Sequence, residues 1–261
     1  MAAISYDSVA LLKEFAERMR ITYPLLSDPA STIICAFGIL NDNFPSDHPW
    51  YGVPFPGTYV VNERGVVLAK YFEEDHRERF SASTILVKCF GQGQDSSWTE
   101  VQTQHLKLRY SSSDTVVRSG NRIVLLLEVE LNPRMHVYAP GVQASYIPID
   151  WKMSPAQGWM AHPAAFPASR TLHLPAIGET VPVYEGRFRI ARDLTIGQDS
   201  EISPFLRDNQ HLTVEGAFRY QACDNKVCYP PETVPLKWTF SVVAHDADRA
   251  PERLQRQQLR P

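Results

Sequence analysis

Hydrophobic and polar residues follow two different periods along this chain. Over residues 1–91, short apolar segments such as AAISY alternate with segments whose apolar residues recur at helical spacing. The helix predicted after AAISY has Asp7 as its expected cap and carries apolar residues on one face: Leu11, Leu12, Phe15, Ala16 and Met19. GTYVV and GVVLAKYF predict two strands joined by a turn at NERG, and RERFSASTILVKCF predicts a helix that closes this half. The pattern therefore predicts a mixed α/β domain.

Beyond a polar linker at residues 92–99, the apolar positions recur with period two. Three predicted strands place these residues on one face: Leu106, Leu108 and Tyr110; Leu212, Val214, Phe218 and Tyr220; Val234, Leu236, Trp238, Phe240 and Val242. The segment NRIVLLLEVEL is apolar on both faces at its start, as expected of a strand at the centre of a sandwich. No convincing helical stretch occurs before residue 245. We therefore predict an antiparallel β-sandwich over residues 100–245, followed by a charged, flexible tail at 246–261.

Composition and charge exclude several classes of partner. The 261 residues are 44% hydrophobic and 21% charged, with a net charge of −3 and no long block of one sign. These values are typical of a globular protein and predict neither nucleic acid nor an anionic membrane as a partner. The apolar segments are shorter than the roughly 20 residues that span a bilayer. Because the N-terminus lacks the features of a secretory signal, we expect a chain that as written is neither exported nor anchored.

The segment YQACDNKVCYPPETVPLKW contains two cysteines, Cys223 and Cys228, separated by four residues. A zinc site needs four ligands, and the chain offers no second cysteine pair and no histidine within ten residues of either cysteine. We therefore expect no metal and no other cofactor. A structural disulfide would close a short loop, which stabilises a fold by only about 2 kcal/mol. We favour reversible dithiol/disulfide exchange, because the polar turn leaves at least one sulfur reachable. Lys226 would favour a thiolate there, and Asp224 would oppose it.

The same segment resembles the cysteine hairpin of the N-terminal periplasmic domain of the thiol:disulfide interchange protein DsbD. LNPRMHVYAPG resembles the strand and turn that face the active site in that family, and VPVYEGRFRI resembles its strand after the cap loop. The resemblance covers roughly residues 100–243 and implies an immunoglobulin-like sandwich. It also implies partners that are themselves thiol-disulfide proteins, either thioredoxin-like or a membrane-embedded relay, and it suggests a periplasmic location.

The resemblance implies a role for each matching residue. Cys223 and Cys228 would be the redox pair, with Cys228 forming the mixed disulfide. His136 and Tyr138 match positions that line the site, as Tyr229 does beside Cys228. The segment 174–181 would be the cap that shields the disulfide. It lacks the aromatic residue that can cover the sulfurs in this family, so Leu174 or Ile177 would have to serve.

The first half resembles peroxiredoxins of the AhpC/TSA family, of the bacterioferritin-comigratory type. The motifs SYDS, YPLLSD and PGTYVVNERG carry this resemblance. It implies a thioredoxin-like domain that here lacks its first strand and its peroxidatic cysteine. Neither Cys35 nor Cys89 occupies the matching position, and we expect Cys35 to be a buried or idle thiol. The missing strand would leave two unpaired edges, so we expect residues 1–91 to be marginally stable alone. Missing upstream residues, a partner strand or a pairing of AISY with GTYVV could complete the sheet.

Together these observations favour a two-domain chain, an incomplete α/β thioredoxin-like domain followed by an all-β immunoglobulin-like sandwich. Its expected function is thiol-disulfide exchange through Cys223 and Cys228. One alternative is a non-catalytic interaction protein in which the disulfide is a fixed crosslink. A second alternative is a peroxiredoxin-type antioxidant, if residues upstream of Met1 are missing from this chain.

Overall fold

The computed structural model describes residues 1–72, 77–91, 98–142, 146–174, 178–208, 210–224, 226–244 and 251. It divides into two compact units, one within residues 1–76 and one within residues 77–245. The predicted linker at 92–99 lies outside the described residues except for its last two positions, and the predicted tail at 246–261 does so except for Pro251. The domain bounds expected from the sequence therefore stay a prediction.

The first unit contains two helices and four short strands, and the strands form two separate two-stranded sheets in the described residues. Its elements are β1 (Ala3–Ser5), α1 (Val9–Arg18), β2 (Leu25–Ser27), α2 (Thr32–Ala36), β3 (Gly57–Val61) and β4 (Val67–Phe72). β1 pairs in parallel with β2, and β3 pairs with β4 as an antiparallel hairpin. In the part of the unit that the structure describes, β1 and β3 are not paired with each other. The mixed α/β character predicted for this half is confirmed.

The cap of α1 differs from the prediction by one residue. Ser8 has the extended backbone of an N-cap, and its hydroxyl accepts the N–H of Leu11. Asp7, the expected cap, instead accepts the O–H of Ser5 at 2.6 Å. The prediction of Asp7 is therefore wrong, because its carboxylate is already engaged with the end of β1.

Apolar side chains of the first unit are only partly covered. An apolar cavity of about 260 Å³ lies beside β1, with Ile4, Leu26, Phe37 and Tyr59 in its wall. Leu26 is 50% exposed and Phe37 is 54% exposed, whereas Ile34 is almost fully buried. Within the described residues, apolar side chains are thus exposed beside the two-stranded sheet of β1 and β2. This agrees with the expected marginal stability of the unit, which remains a prediction.

The second unit is built mainly from strands. Its elements are β5 (Arg79–Phe80), α3 (Ala82–Phe90), β6 (Thr99–Gln102), β7 (Leu106–Ser112), β8 (Val116–Val117), β9 (Asn121–Leu131), β10 (His136–Tyr138), β11 (Asp150–Met153), β12 (Trp159–Ala165), β13 (Arg170–Leu174), β14 (Glu179–Glu185), β15 (Arg187–Ile196), α4 (Asp199–Ile202), a 3₁₀ turn (Ser203–Phe205), β16 (Leu206–Arg207), β17 (His211–Tyr220), β18 (Ala222–Cys223) and β19 (Glu232–Val242). The expectation of no helix in the sandwich before residue 245 is wrong for the single turn of α4, which a capping box at Gln198 stabilises, and for the 3₁₀ turn that follows it.

Three sheets organise these strands within the described residues. The first has the order β12–β15–β9–β7–β6, with β5 added in parallel to β9. The second has the order β11–β17–β19–β8, with β16 added to β17. The third has the order β13–β14–β10–β18 and carries the cysteine hairpin at its β18 edge. Except for the short parallel pairs of β5 with β9 and β8 with β19, all pairs of this unit are antiparallel, as predicted.

One hydrophobic core joins the first and second sheets. Alternate residues of β7, β9, β17 and β19 point into it, and its largest fully buried side chains include Trp151, Phe218, Tyr220 and Phe240. The indole N–H of Trp238 donates to the carbonyl of Ser111 at 3.0 Å, which links β19 to β7 through a buried hydrogen bond. The predicted alternation and the predicted sandwich are confirmed. Burial of each large apolar side chain stabilises such a core by about 1.5–3 kcal/mol.

The helix α3 packs on the outer face of the first sheet. Val87 forms a cluster with Val124 and Leu126 of β9, and the Lys88 ammonium lies 2.7 Å from the Asp193 carboxylate on β15. The helix was predicted at the close of the first half, and the structure packs it against β9. The physical reason lies in β9, whose apolar residues on both faces require a cover on each side.

Candidate functional site

Cys223 and Cys228 form a disulfide at the edge of the third sheet. Cys223 ends β18, and the chain turns back so that the Cα atoms of the two cysteines lie 4.1 Å apart. The N–H of Tyr229 donates to the carbonyl of Ala222 at 2.9 Å. The hairpin that carries the disulfide is therefore anchored to the end of a sheet strand.

The turn between the cysteines is organised by Asp224. Its carboxylate accepts the backbone N–H of Lys226 at 2.7 Å and that of Val227 at 2.8 Å, and the hydroxyl of Tyr229 donates to it at 3.1 Å. These backbone hydrogen bonds lower the pKa of Asp224, and the same carboxylate raises the pKa of Tyr229. Asx turns are usually stabilised in this way, by an aspartate side chain that accepts backbone N–H groups a few residues later.

We expect Asp224→Ala to make the disulfide easier to reduce. The turn holds the two sulfurs together in the reduced chain, so its loss lowers the equilibrium constant for disulfide formation. A roughly tenfold decrease corresponds to a reduction potential about 30 mV less negative. Equilibration with glutathione buffers, followed by thiol alkylation and mass measurement, gives this potential. Asp224→Asn keeps the oxygen that accepts both N–H groups and is the matched control. Equal potentials for Asp224→Ala and the parent chain would contradict this role.

The two cysteines differ in their access to solvent. Cys223 is 1% exposed and packs within a small apolar cluster, whereas Cys228 is exposed. Lys226 and Val227, which precede Cys228 in the turn, are also exposed. Among the described residues, the Cys228 side of the disulfide is therefore the more accessible to a visiting sulfur. Lys226 contacts Asp224 through its backbone N–H.

Tyr138 and His136 are buried in β10, beneath the disulfide. The Tyr138 hydroxyl lies 3.6 Å from the Cys228 sulfur, and it must be the donor because that sulfur is bonded to Cys223. Burial raises the pKa of Tyr138, and the charge of Glu179 adds to this effect. His136 lies directly opposite Cys223 in the antiparallel pairing of β10 with β18.

The cap predicted over the disulfide corresponds to the hairpin of β13 and β14. Leu174 ends β13, is half-buried and packs against the cluster that contains Cys223 and Tyr138. Ile177, the other expected cover, lies outside the described residues. The hairpin therefore places one of the two expected apolar residues beside the site.

Tyr146 connects this hairpin to the floor of the site. Its ring centroid lies 4.5 Å from that of Tyr138, and its hydroxyl donates to the Glu179 carboxylate at the start of β14 at 2.5 Å. This hydrogen bond raises the pKa of Tyr146 to about 12, so the hydroxyl stays protonated over the physiological range. A continuous set of contacts thus links Cys228, Tyr138, Tyr146 and Glu179.

Tyr229 extends the hairpin toward the neighbouring strands. Its ring lies 4.3 Å from the ring of His105, and its hydroxyl is held by Asp224. The imidazole of His105 is buried and lies 3.6 Å from the Glu232 carboxylate at the start of β19. These contacts give Tyr229 a packing role beside Cys228.

Sequence reasoning did not identify Tyr146, Glu179 or His105 as neighbours of the site. Each lies on a different segment, and only the register of several strands brings them near the hairpin. The signal for Asp224 was present in the sequence, since an aspartate at the start of a short polar turn commonly binds the following backbone.

The other two cysteines lie on helices of the described structure. Cys35 is exposed on α2, so the first part of its expectation as a buried or idle thiol is wrong, and Cys89 on α3 is partly exposed. In the ranges that the structure describes, no group of three or more His, Cys, Asp or Glu side chains is placed to hold a metal ion. No helix among those residues is long and apolar enough to cross a membrane.

Two known families match this chain, one in the α/β half and one in the β-sandwich half. Residues 1–70 match the AhpC/TSA family, and residues 108–237 match the family described as thiol:disulfide interchange protein DsbD, N-terminal. Both resemblances predicted from the sequence are confirmed. The fold is accordingly a short thioredoxin-like piece followed by an immunoglobulin-like sandwich, and the Cys223–Cys228 disulfide lies inside the segment that matches DsbD.

Solved structures of DsbD-type domains are also similar to this chain. The N-terminal periplasmic domain of ScsB from Proteus mirabilis is 16% identical with a TM-score of 0.35, over 57% of this chain and 52% of that one. The DsbD N-terminal domain of Neisseria meningitidis in the reduced form is 16% identical with a TM-score of 0.31, over 45% of this chain and 77% of that one. The chain thus spans about half the length of the ScsB domain (52%). None of the curated proteins matches it.

Proposed function

We propose that this chain is a thiol-disulfide exchange module that passes electrons between protein partners through Cys223 and Cys228. The observation that carries the proposal is that Cys223 is buried whereas its disulfide partner Cys228 is exposed. This disulfide lies in the segment that matches DsbD. A fixed crosslink needs no access to solvent, whereas exchange requires that one sulfur be open to attack.

In the proposed reaction, Cys228 meets the partner. Its thiolate attacks a partner disulfide, a mixed disulfide forms at Cys228, and one partner sulfur leaves as a thiolate. Cys223 then attacks the Cys228 sulfur, restores the intramolecular disulfide and releases the second partner thiol. The partner is reduced by two electrons, and the Cys223–Cys228 pair supplies them. The reverse sequence begins with a partner thiolate that attacks the exposed sulfur.

The surrounding side chains have proposed roles in this exchange. Tyr138 donates a hydrogen bond to the sulfur of Cys228, and Leu174 helps to cover the pair. Tyr229 and the backbone of Lys226 hold the turn in place through Asp224. The partners that fit are other thiol-disulfide proteins, either thioredoxin-like or part of a membrane relay. The first unit would be a degenerate or truncated partner domain, because neither Cys35 nor Cys89 occupies the position expected of a peroxidatic cysteine.

The reduction potential of the pair tests the proposal. Crosslinking disulfides typically have potentials below about −300 mV, and exchanging pairs lie well above this value, so we expect a potential near −200 mV. The chain is equilibrated with glutathione or dithiothreitol buffers, and the oxidised fraction is measured by alkylation. Cys35→Ser combined with Cys89→Ser ensures that only the pair is alkylated. A potential below about −300 mV would instead support a fixed crosslink in a non-catalytic interaction protein.

A further inference from the structure

His136 is a buried histidine beside the redox pair. Its side chain is 3% exposed, and its Nε2 atom has no partner among the residues that the structure describes. Buried polar atoms in proteins are nearly always hydrogen-bonded, and exceptions are often explained by a catalytic or redox role. A packing role alone would be served equally well by an apolar ring.

The pairing of strands directs His136 toward the buried cysteine. His136 is directly opposite Cys223 in the antiparallel pair of β10 and β18. Side chains at directly opposite positions lie on the same face, with Cβ atoms about 4.5–5.5 Å apart. Tyr138, two residues further along β10, lies on that face as well, with its ring centroid 5.7 Å from the imidazole. Tyr138 reaches the Cys228 sulfur, so the two β10 side chains serve different cysteines.

The charged and titratable groups around His136 come from three neighbouring segments. Glu185 of β14 is its partner on the other side of β10, and the Arg170 guanidinium of β13 lies 3.7 Å from the Glu185 carboxylate. Asp224 follows Cys223 at the end of β18. Burial lowers the pKa of His136, and the negative charges of Glu185 and Asp224 oppose this effect only in part. The imidazole is therefore neutral near pH 7 and can accept a proton.

We propose that His136 exchanges the proton of Cys223 during the disulfide reaction. This inference rests on the proposed function of the pair. In the resolving step, Nε2 of His136 takes the proton from the Cys223 thiol, and the resulting thiolate attacks the Cys228 sulfur of the mixed disulfide. The bond between Cys223 and Cys228 forms as the bond between Cys228 and the partner sulfur breaks. The partner leaves with the electron pair as a thiolate, and the imidazolium proton passes to that thiolate or to water.

The need for such a base follows from the burial of Cys223. A thiol among apolar side chains ionises poorly, yet only a thiolate attacks a disulfide efficiently. An adjacent base that carries the proton away is the usual way to activate a nucleophile of this kind. In the reverse direction, the same group protonates Cys223 as it leaves into its apolar pocket.

The test separates the two steps of exchange in the intact chain. The reduced chain is mixed with oxidised glutathione, samples are quenched in acid, and mass spectrometry follows the glutathione adduct and then the intramolecular disulfide. We expect His136→Phe to slow the second step at pH 7 by about 100-fold, the lower end of the contribution of general acid–base catalysis. The first step, which occurs at Cys228, should change less than about twofold, since His136 faces the other cysteine.

The pH profile distinguishes proton exchange from a merely structural effect. Below the lowered pKa of His136 the parent imidazole is protonated and cannot accept a proton, so the second step should slow as the pH falls from 7 to 5. His136→Phe should lose this contribution and retain only the dependence due to thiol ionisation. His162→Gln removes a half-buried histidine that is bonded to Thr195, away from the pair, and should keep the parent profile. If His136→Phe does not fold, His136→Gln serves in its place, because it keeps a polar group that does not titrate.

Two outcomes would overturn the inference, and they differ in their meaning. A parent-like second step in His136→Phe from pH 5 to pH 8 would exclude His136 as the proton acceptor and leave exchange by the pair intact. Failure of the parent itself to form the intramolecular disulfide from its glutathione adduct would overturn both this inference and the proposed function.

Discussion

Cys228→Ser is expected to abolish thiol-disulfide exchange, with a loss of at least about 100-fold, because the thiolate is the nucleophile and a serine hydroxyl cannot replace it. The remaining Cys223 is 1% exposed and therefore offers a partner almost no surface to attack. The measurement is the rate at which the reduced chain reduces the disulfide of a small protein. This rate is detected as the appearance of free thiols on that protein. Folding of the variant is checked by circular dichroism and by its thermal transition.

Cys223→Ser is the matched variant, since it removes the same disulfide and leaves the exposed sulfur in place. We expect it to form a mixed disulfide with the partner that persists, because the resolving sulfur is absent. Cys35→Ser, which changes an exposed cysteine of the first unit, should leave exchange unchanged. If Cys228→Ser exchanges as fast as the parent chain, or if Cys223→Ser and Cys228→Ser behave alike, then the assignment of roles to the two sulfurs is wrong.

The sandwich and its cysteine hairpin were predictable from the sequence because their signals are local. Alternation along β7, β17 and β19 marks which residues face a core, and two cysteines in one polar turn mark a pair that can form a disulfide. The position of α3 was not predictable in the same way. An apolar strand such as β9 shows that both faces are covered, but not which element covers the outer one. Val87 meets Val124 and Leu126 through a contact that no local pattern contains.

The site itself was predictable only in part. The resemblance placed His136 and Tyr138 near the pair, and the structure brings Tyr138 to the sulfur of Cys228. The direction of His136 toward Cys223 and the link from Tyr146 to Glu179 depend on strand register. Register is fixed by the packing of whole strands, and a shift by one residue would reverse every side chain. Sequence spacing alone therefore cannot identify these pairs.

In the intact chain, backbone amides of the first unit are expected to exchange their hydrogens much faster than those of the second unit. Amides of β9 lie at the centre of a sheet over a continuous core, and they should exchange only when the sandwich opens. Amides of β1 lie in a two-stranded sheet beside exposed apolar residues such as Leu26. The free energy of the local opening that allows an amide to exchange ranges from near zero to the global free energy of unfolding. We therefore expect the amides of β1 to be protected at least about 1,000-fold more weakly than those of β9.

Phe240→Ala provides the control for this comparison, because it removes a fully buried ring from the sandwich core. Such a change costs about 3–5 kcal/mol, which should lower protection of β9 by more than about 100-fold. Protection of β1, whose apolar neighbours lie in the first unit, should not fall with it. Equal protection of β1 and β9 in the parent chain would contradict the expected marginal stability of the first unit. It would require backbone partners for β1 and β3 beyond the β2 and β4 with which the structure pairs them.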